Sequence, residues 1–217
     1  MINLNTKHRI DFFAKSAPYY DSILDLVTIG QYAKFLKKAV EILAPRKGER
    51  ILDLCSGTGR AASWMATDVG DIGEVVGLDI TESMVKVAKE RYGGLRNLIF
   101  LQRDVTQPFG YENYFDGIFT SFALHELPEK HRPAVLEKSN LALREGGRMV
   151  IADFHPQVFG KSKVISHIFF RFFERDNLNF FSFDQNEILE KVGFKKIQAF
   201  PVLGGILQIT LAYLNPE

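Results

Sequence analysis

The sequence predicts an α/β domain, a Rossmann-like, doubly wound, mostly parallel seven-stranded sheet that ends in an antiparallel hairpin. Three observations predict it. Between residues 48 and 153, short apolar runs alternate with helix-compatible stretches at close spacing, as in strand–helix–strand units. An acid stands at the end of each of the first three runs: Asp53, Asp79 and Asp104. Near the end of the chain, Phe194–Val202 and Ile206–Leu214 are two β-like runs joined by Gly204-Gly205, a hairpin signal.

Taken in order, the N-terminal segment to about Gly30 reads as two short helices broken at Ala17-Pro18, because Pro18 disfavours a helical residue before it. From Gln31, the positions Ala33, Leu36, Ala39, Val40 and Leu43 keep helical spacing until Pro45 and Gly48. The first strand is 50–54. It runs into the small-residue turn Cys55-Ser56-Gly57-Thr58-Gly59, and a helix follows from Arg60 to about Val69. A second strand over Glu74–Leu78 ends in Asp79, and Thr81 is placed to cap the next helix, which Gly93-Gly94 stops. Strands follow at Leu98–Gln102 and Phe115–Ser121, a helix at about His131–Leu143 and a fifth strand at Arg148–Ala152. Residues 154–183 read as helical, and Asp184-Gln185-Asn186-Glu187 as a capping box opening one more helix, closed by Gly193.

At 217 residues the chain is long enough for one domain with a full core. We divide it into a helical lid (1–45), a cofactor-binding core (48–153), a Phe-rich substrate cap (154–183) and a last helix with the hairpin (184–217). A formal net charge of +1 marks no general nucleic-acid binder. Cys55 is the single cysteine, so no disulfide forms within the chain, which fits a reducing cytoplasm. The polar first residues do not read as a secretory signal, and His167, Arg171 and Gln208 interrupt the best membrane-span candidates. Of the 19 phenylalanines, many fall between Phe154 and Phe183.

The turn after the first strand is a small-molecule cradle. Gly57 and Gly59 carry no Cβ, so a ligand can lie against the backbone, and the helix start beyond them adds N–H groups and a positive dipole end. Asp79 lies 20 residues past Gly59, where such folds place the carboxylate that accepts both ribose hydroxyls. Ile80 would pack beside a base, and Asp104 with Val105 would read an adenine edge. Asp53 lies under the turn, where it can fix the loop and reach a ligand ammonium through water. Acids at strand ends also simply cap helices, but three beside two glycines point to a ligand. The run Gly57-Thr58-Gly59-Arg60-Ala61-Ala62 also fits the dinucleotide pattern, which keeps an NAD(P)-dependent oxidoreductase open as an alternative. A P-loop is excluded, and His125-Glu126 has no following histidine for a zinc helix, so no metal is expected.

The ordered set Ile51–Gly59, Val75–Ile80 with Met84, Arg103-Asp104-Val105, Phe115–Leu127 and Leu143–Asp153 resembles the class I S-adenosylmethionine-dependent methyltransferases. Within them the chain is similar to the ubiquinone/menaquinone biosynthesis C-methyltransferases. The N-terminal stretch Phe13–Asp21 and the closing Leu203-Gly204-Gly205-Ile206 carry that narrower likeness. It is loosest over 154–183, and after the fourth strand the sequence Phe122-Ala123-Leu124-His125-Glu126-Leu127 stands where those enzymes carry an Arg-Asn type sequence.

The resemblance implies S-adenosylmethionine as cofactor, with Gly57 and Gly59 holding its methionine part and Asp79 its ribose. Ile80, Met84 and Val105 would enclose the adenine, with Asp104 at its amino edge, and Ser121 and Phe122 would border the amino group through backbone carbonyls. The acceptor would be a small apolar molecule, a quinol-type ring methylated at carbon or a phenolic oxygen. Tyr20, His125 and Phe154 would stand on its side, His125 as a base or else as a structural histidine. Asp153 and His155 lie at the same rim, and Tyr19 or Tyr20 would close a lid or anchor the N-terminal helices. The Phe-rich segment, with Lys161, Lys163, Arg171 and Arg175, would line the acceptor pocket or make transient membrane-surface contact. A non-catalytic binder that keeps the cofactor fold is the remaining alternative, and oligomeric state is left open.

Overall fold

The computed structural model describes residues 4–155 and 184–215, so the Phe-rich segment beyond His155 lies outside the described residues. Seven strands form one sheet: β1 (Arg50–Leu54), β2 (Glu74–Asp79), β3 (Leu98–Gln102), β4 (Phe115–Ser121), β5 (Leu143–Phe154), β6 (Phe194–Val202) and β7 (Leu207–Leu214). Their order is β3-β2-β1-β4-β5-β7-β6. β1 pairs in parallel with both β2 and β4, and β7 runs antiparallel between β5 and β6. The chain winds outward from β1 to β3, then returns to β4 on the other side. That reversal opens a crevice at the carboxyl ends of β1 and β4, where folds of this type bind ligands. With β7 antiparallel, these strands provide no second strand–helix–strand half of the kind a nicotinamide dinucleotide uses.

The apolar runs form strands because successive side chains serve opposite faces of a sheet covered on both. Ile51, Val75, Phe119 and Val150 enter one buried cluster, while their neighbours Leu52, Val76, Ile118 and Met149 enter the other. The first cluster lies under α3 (Gln31–Leu43) and α4 (Arg60–Val69), through Phe35, Leu43 and Met65. The second lies under α6 (Arg132–Ala142), through Val135 and Leu136. Before them, α1 (Leu4–Ser16) and α2 (Tyr20–Val27) are separated by a single 3-10 turn over Ala17–Tyr19, where Pro18 was expected to break the helix. Between β2 and β3 runs α5 (Glu82–Tyr92), and α7 (Gln185–Lys191) precedes β6. No helix among the described residues is long and apolar enough to cross a membrane.

Three local details differ from the sequence reading. β5 begins at Leu143 rather than Arg148, because Leu143 pairs with Phe115 before the register shifts and Gly117 meets Arg148. The cap of α7 is half a box: Asp184 accepts the Glu187 N–H at 3.0 Å, but the Glu187 carboxylate turns to Lys191 at 2.5 Å. Thr81 occupies the N-cap position of α5 without capping it through its side chain; its own N–H donates to Asp79 at 2.8 Å, which fixes the start of the helix to the end of β2.

One ion pair ties β5 to the end of α3. Ala44 adopts a left-handed conformation (φ 50°), which stops the helix and leaves its last carbonyls without helical partners. Arg148 donates to the carbonyls of Leu43 (2.5 Å) and Ala44 (2.7 Å) and forks onto Glu49 at 3.0 and 2.7 Å. Burial works against the Glu49 charge, but the Arg148 bonds and the Arg46 N–H prevail and hold its carboxyl below the usual carboxylate range. A carboxyl lowered by folding stabilises the protein above its unfolded pKa, and that contribution is lost as pH falls through the folded one. Glu49→Gln should therefore cost about 1–3 kcal/mol at neutral pH, the scale of a hydrogen bond to a charged group. The deficit relative to the parent should shrink in urea titrations as pH is lowered below the usual Glu value. A deficit that stays constant would remove Glu49 from this role.

Candidate functional site

The turn after β1 is built from left-handed residues. Cys55 (φ 57°), Gly57 (φ 53°) and Gly59 (φ 82°) bend the chain from strand into α4. Its N–H groups are tied to neighbouring elements: Ser56 donates to the Leu78 carbonyl at 2.9 Å and Gly57 to the Asp79 carboxylate at 2.9 Å. The two glycines serve different ends. A Cβ on Gly57 would meet nothing within 4 Å, whereas one on Gly59 would lie 2.5 Å from the Phe100 ring and 3.1 Å from Ala88. Gly59 is therefore small for packing against the next helix and strand, not for ligand approach as the sequence reading held. Gly57→Ala should cost only about 1–2 kcal/mol of left-handed strain, and Gly59→Ala should cost that plus about 1–3 kcal/mol of overpacking. Denaturant unfolding of the two variants, in the absence of ligand, measures the difference; equal losses would contradict the packing role.

Beside this turn lies a cavity of about 480 Å³. Asp53, Ser56 and Gly57 form its floor; Asp79, Ile80 and Met84 come from the β2–α5 junction. Arg103, Asp104 and Val105 follow β3, and Ser121 and Phe122 end β4. Across from them stand Phe13, Tyr20 and Tyr32 of the N-terminal helices. The structure thus gathers most of the predicted residues onto one wall system. Gly59, His125 and Phe154 are not among the lining residues. Phe154 stands behind, its ring against Phe122 (5.4 Å between centroids) and His125 (4.9 Å). Tyr20 is the inward tyrosine, while Tyr19 is 68% exposed. Among the described residues, no group of three or more His, Cys, Asp or Glu side chains is arranged to hold a metal.

The acids differ in how they are satisfied. Asp79 accepts the Gly57 and Thr81 N–H groups, at 2.9 and 2.8 Å. Burial raises its pKa above the usual carboxylate range, and these bonds offset only part of that. Asp104 accepts the Thr106 N–H at 2.8 Å. Asp53 is buried and its Oδ2 has no hydrogen-bond partner. Burial, and then the Asp79 charge, push its carboxyl well up. Burial also pushes the Cys55 thiol up, so it stays protonated and is no nucleophile.

The base role suggested for His125 does not suit the charge state the structure gives it. Its Nδ1 lies 2.6 Å from Asp153 and its Nε2 3.1 Å from Glu126. Burial alone would lower its pKa, but Asp153 and Glu126 outweigh it and raise it to about 10. An imidazolium has no lone pair to take a proton. A histidine raised by folding contributes stability that is full below about 6.5 and is lost as pH rises through about 10. In an NMR pH titration the His125 ring should remain protonated past pH 9, and Asp153→Asn should bring its midpoint down. A midpoint near 6.5 in the parent would reject the cationic assignment.

Sequence reasoning missed the latch that seats the lid. Asp21, buried on α2, accepts the Thr58 hydroxyl at 2.7 Å and Arg91 at 2.5 Å, with Arg60 at 3.6 Å. Arg60 also pairs with Asp25 at 2.9 Å, and Arg91 donates to the Pro18 carbonyl at 2.9 Å. The only signal was that the family-like stretch Phe13–Asp21 ends on this acid. Behind the latch, rings run in contact from Phe13 to Tyr20 (6.0 Å), Tyr32 (6.5 Å) and Phe122 (5.7 Å).

A model of the ubiE/COQ5 methyltransferase family matches residues 1–177. The chain is 26% identical over 225 residues to a demethylmenaquinone methyltransferase of Staphylococcus carnosus, covering 94% of this chain and 92% of that protein. It is 25% identical over 235 residues to a protein of the same description from Staphylococcus aureus, covering 99% and 95%. Among solved structures, a SAM-dependent methyltransferase from Aquifex aeolicus superposes with a TM-score of 0.65 at 22% identity, over 82% of this chain and 89% of that one. That last likeness shows the fold. The nicotinamide alternative finds no support among these proteins.

Proposed function

The chain belongs to the ubiE/COQ5 methyltransferase family and is an S-adenosylmethionine-dependent methyltransferase, and on that premise we propose that it methylates a ring carbon of a small, apolar, quinol-type acceptor. The observation that carries this reading is the cavity's two-sided wall. Acids and backbone groups of the strand ends line one side, the rings of Phe13, Tyr20 and Tyr32 stand across from them, and Phe122 at the end of β4 packs against Tyr32 between the two. The two relatives are by their descriptions demethylmenaquinone methyltransferases, which supports the acceptor class.

The residues fit the cofactor. A buried carboxylate oxygen without a partner, Asp53 Oδ2, is suited to a ligand ammonium, whose charge would bring the raised carboxyl back toward ionisation. Gly57 offers open space against the backbone for the methionine part. Asp79 would take the ribose hydroxyls with the lone pairs left beside its two backbone bonds. Ile80, Met84 and Val105 would enclose the adenine and Asp104 would meet its amino edge, while Ser121 and Phe122 would border the amino group. Bound there, S-adenosylmethionine supplies a methyl group already activated on sulfur. The protein's share is then alignment and exclusion of water. The aromatic wall orients a flat ring, and the seated lid shields it.

The outer face of α2 exposes Leu26 (80%) and Val27 (73%). Transient contact of this lid with a membrane surface belongs to the same reading, because an apolar acceptor partitions into lipid.

The test is anaerobic incubation with methyl-labelled S-adenosylmethionine and 1,4-naphthalenediols bearing short or long apolar chains, in detergent and in anionic lipid vesicles. Mass and NMR analysis should find the label on a ring carbon, with faster turnover of the long-chain acceptor in vesicles. Label on oxygen, or none from an enzyme that binds the cofactor, would overturn the carbon reading. Equal rates in vesicles and detergent would remove the membrane contact.

A further inference from the structure

We propose that Asp21 is a positioning residue for the cofactor: it ties the seating of the N-terminal lid to the shape of the cradle, so that closing the lid and holding the cofactor are one equilibrium. This role rests on the cofactor fit above and not on the identity of the acceptor.

Asp21 sits on α2 next to Tyr20, whose ring lines the cavity. Its Oδ2 accepts hydrogen bonds from two different elements. One comes from the Thr58 hydroxyl, in the cradle turn, at 2.7 Å, and the other from Arg91 Nη1, on α5, at 2.5 Å. Arg91 also donates to the Pro18 carbonyl at 2.9 Å, so it holds the lid on both sides of Tyr19-Tyr20. Thr58 lines the cavity, whereas Arg91 does not. This grip is finely balanced. The Asp21 side chain is only 4% exposed, yet its Oδ1 has no hydrogen bond and the Arg60 guanidinium stands 3.6 Å away. Burying such a pair costs the solvation of both charges, and a carboxylate with one oxygen unbonded recovers only part of it. The apolar seat is also small. Among the described residues it comprises Ala17 with Met84 and Val87 of α5, joined by the partly buried Phe13 and Tyr20, and it is separate from the two clusters that cover the sheet. Ile23, Leu26 and Val27 of α2 are exposed and add nothing to it. Segments that bury little apolar surface open at low free-energy cost.

A ligand shifts an equilibrium of this kind only if it binds one state better than the other. Here the difference is built into the cavity. Asp53, Ser56 and Gly57 form its floor, and Phe13 and Tyr20 of the lid stand across from them. A molecule that fills the cavity touches both walls when the lid is seated and only the floor when the lid is lifted. Met84 belongs to both sides, because it lines the cavity and packs in the seat of the lid. Asp21 adds a second path. When seated, it holds the Thr58 hydroxyl between Gly57 and Gly59, and so steadies the turn whose backbone faces the cavity. By reciprocity, whatever the cofactor contributes to seating the lid, the seated lid contributes to cofactor affinity.

The test uses S-adenosylhomocysteine, the product left once the methyl group is transferred, and needs no acceptor. Stopped-flow displacement reads its dissociation rate, and amide hydrogen exchange over Leu4–Val27 reads the seating of the lid. In the parent, S-adenosylhomocysteine should slow exchange there roughly five- to a hundredfold, the usual range of coupling between sites. Arg91→Gln is the decisive variant, because this side chain does not line the cavity and acts on the cofactor only through the lid. It should release S-adenosylhomocysteine about tenfold faster, the scale of one hydrogen bond to a charged group, and should lose most of the protection of the lid. Asp21→Asn should do the same. Thr58→Val should also release faster, while Thr58→Ser, which keeps the hydroxyl, should stay near the parent. Combining Arg91→Gln with Thr58→Val should cost less than the product of the single effects, because both act through one carboxylate. Parent-like release from Arg91→Gln, whatever its unfolding midpoint, would make the bond a purely structural one and overturn the proposal. Exchange over the lid that S-adenosylhomocysteine leaves unchanged in the parent would overturn it equally. Failure of the parent to bind S-adenosylhomocysteine at all would overturn the cofactor fit, and this inference with it.

Discussion

Asp79 joins the ends of two adjacent strands through one side chain. One carboxylate oxygen accepts the Gly57 N–H in the turn after β1, and the other accepts the Thr81 N–H at the start of α5. The parallel pairing of Asp53 with Gly77 and of Leu54 with Leu78 brings the two turns side by side. The carboxylate then fixes their separation. This bridge sets where the backbone of Gly57 faces the cavity and where α5 delivers Met84. It also keeps a buried acid close to Asp53, and that proximity helps to raise Asp53 itself.

The carboxyl edge of the sheet and the lid above it carry several buried acids, and their surroundings differ. Asp153 is paired with the His125 imidazolium. Asp21, on the lid, is bonded through Oδ2 by Arg91 and Thr58, and its Oδ1, also without a hydrogen bond, has the Arg60 guanidinium at 3.6 Å. Asp79 is bonded by backbone N–H groups. Asp53 keeps an oxygen with no partner in the floor of the cavity. An isolated buried anion is costly, so such a group is either protonated or awaiting a cation. The contrast among the four supports the cofactor reading more than the presence of any single acid does. It also explains why Asp53 and Asp79, spaced so plainly in the sequence, sit in unlike electrostatic surroundings.

What was legible in the sequence was local. Strand ends, the left-handed turn and the closing hairpin depend on short runs of residue types, and the structure has them within a few residues of expectation. The doubly wound sheet with its antiparallel hairpin was legible because few topologies accommodate alternating strands and helices that end in a hairpin, whereas the strand order came from the structure. The charge state of His125 was not legible, because Asp153 is remote in sequence and meets it only once β4 and β5 pair. Gly59 was misread for a similar reason: the constraint on it is the Phe100 ring from β3. Thr81 looked like a cap by residue type, but its side chain makes no capping bond, and its own N–H is tied to Asp79 two residues earlier.

Phe122 shows how the two halves of the cavity depend on each other. It is a bulky residue at φ 48°, a conformation that costs about 1–2 kcal/mol without glycine. Such strain persists only where the surroundings over-determine the residue. Here Tyr32 and Phe35 of α3 and Phe154 of β5 pack against its ring at 5.7, 5.2 and 5.4 Å between centroids. Its backbone N–H is also held by the Ala152 carbonyl at 2.9 Å. Phe122 is therefore fixed from the sheet at its main chain and from the N-terminal helices at its ring. Those helices are seated in turn by Asp21 on Thr58, a residue of the cradle itself. The aromatic wall and the cradle are thus linked by a closed circuit of contacts through the lid, so the seating of the lid and the geometry of both walls are one structural property.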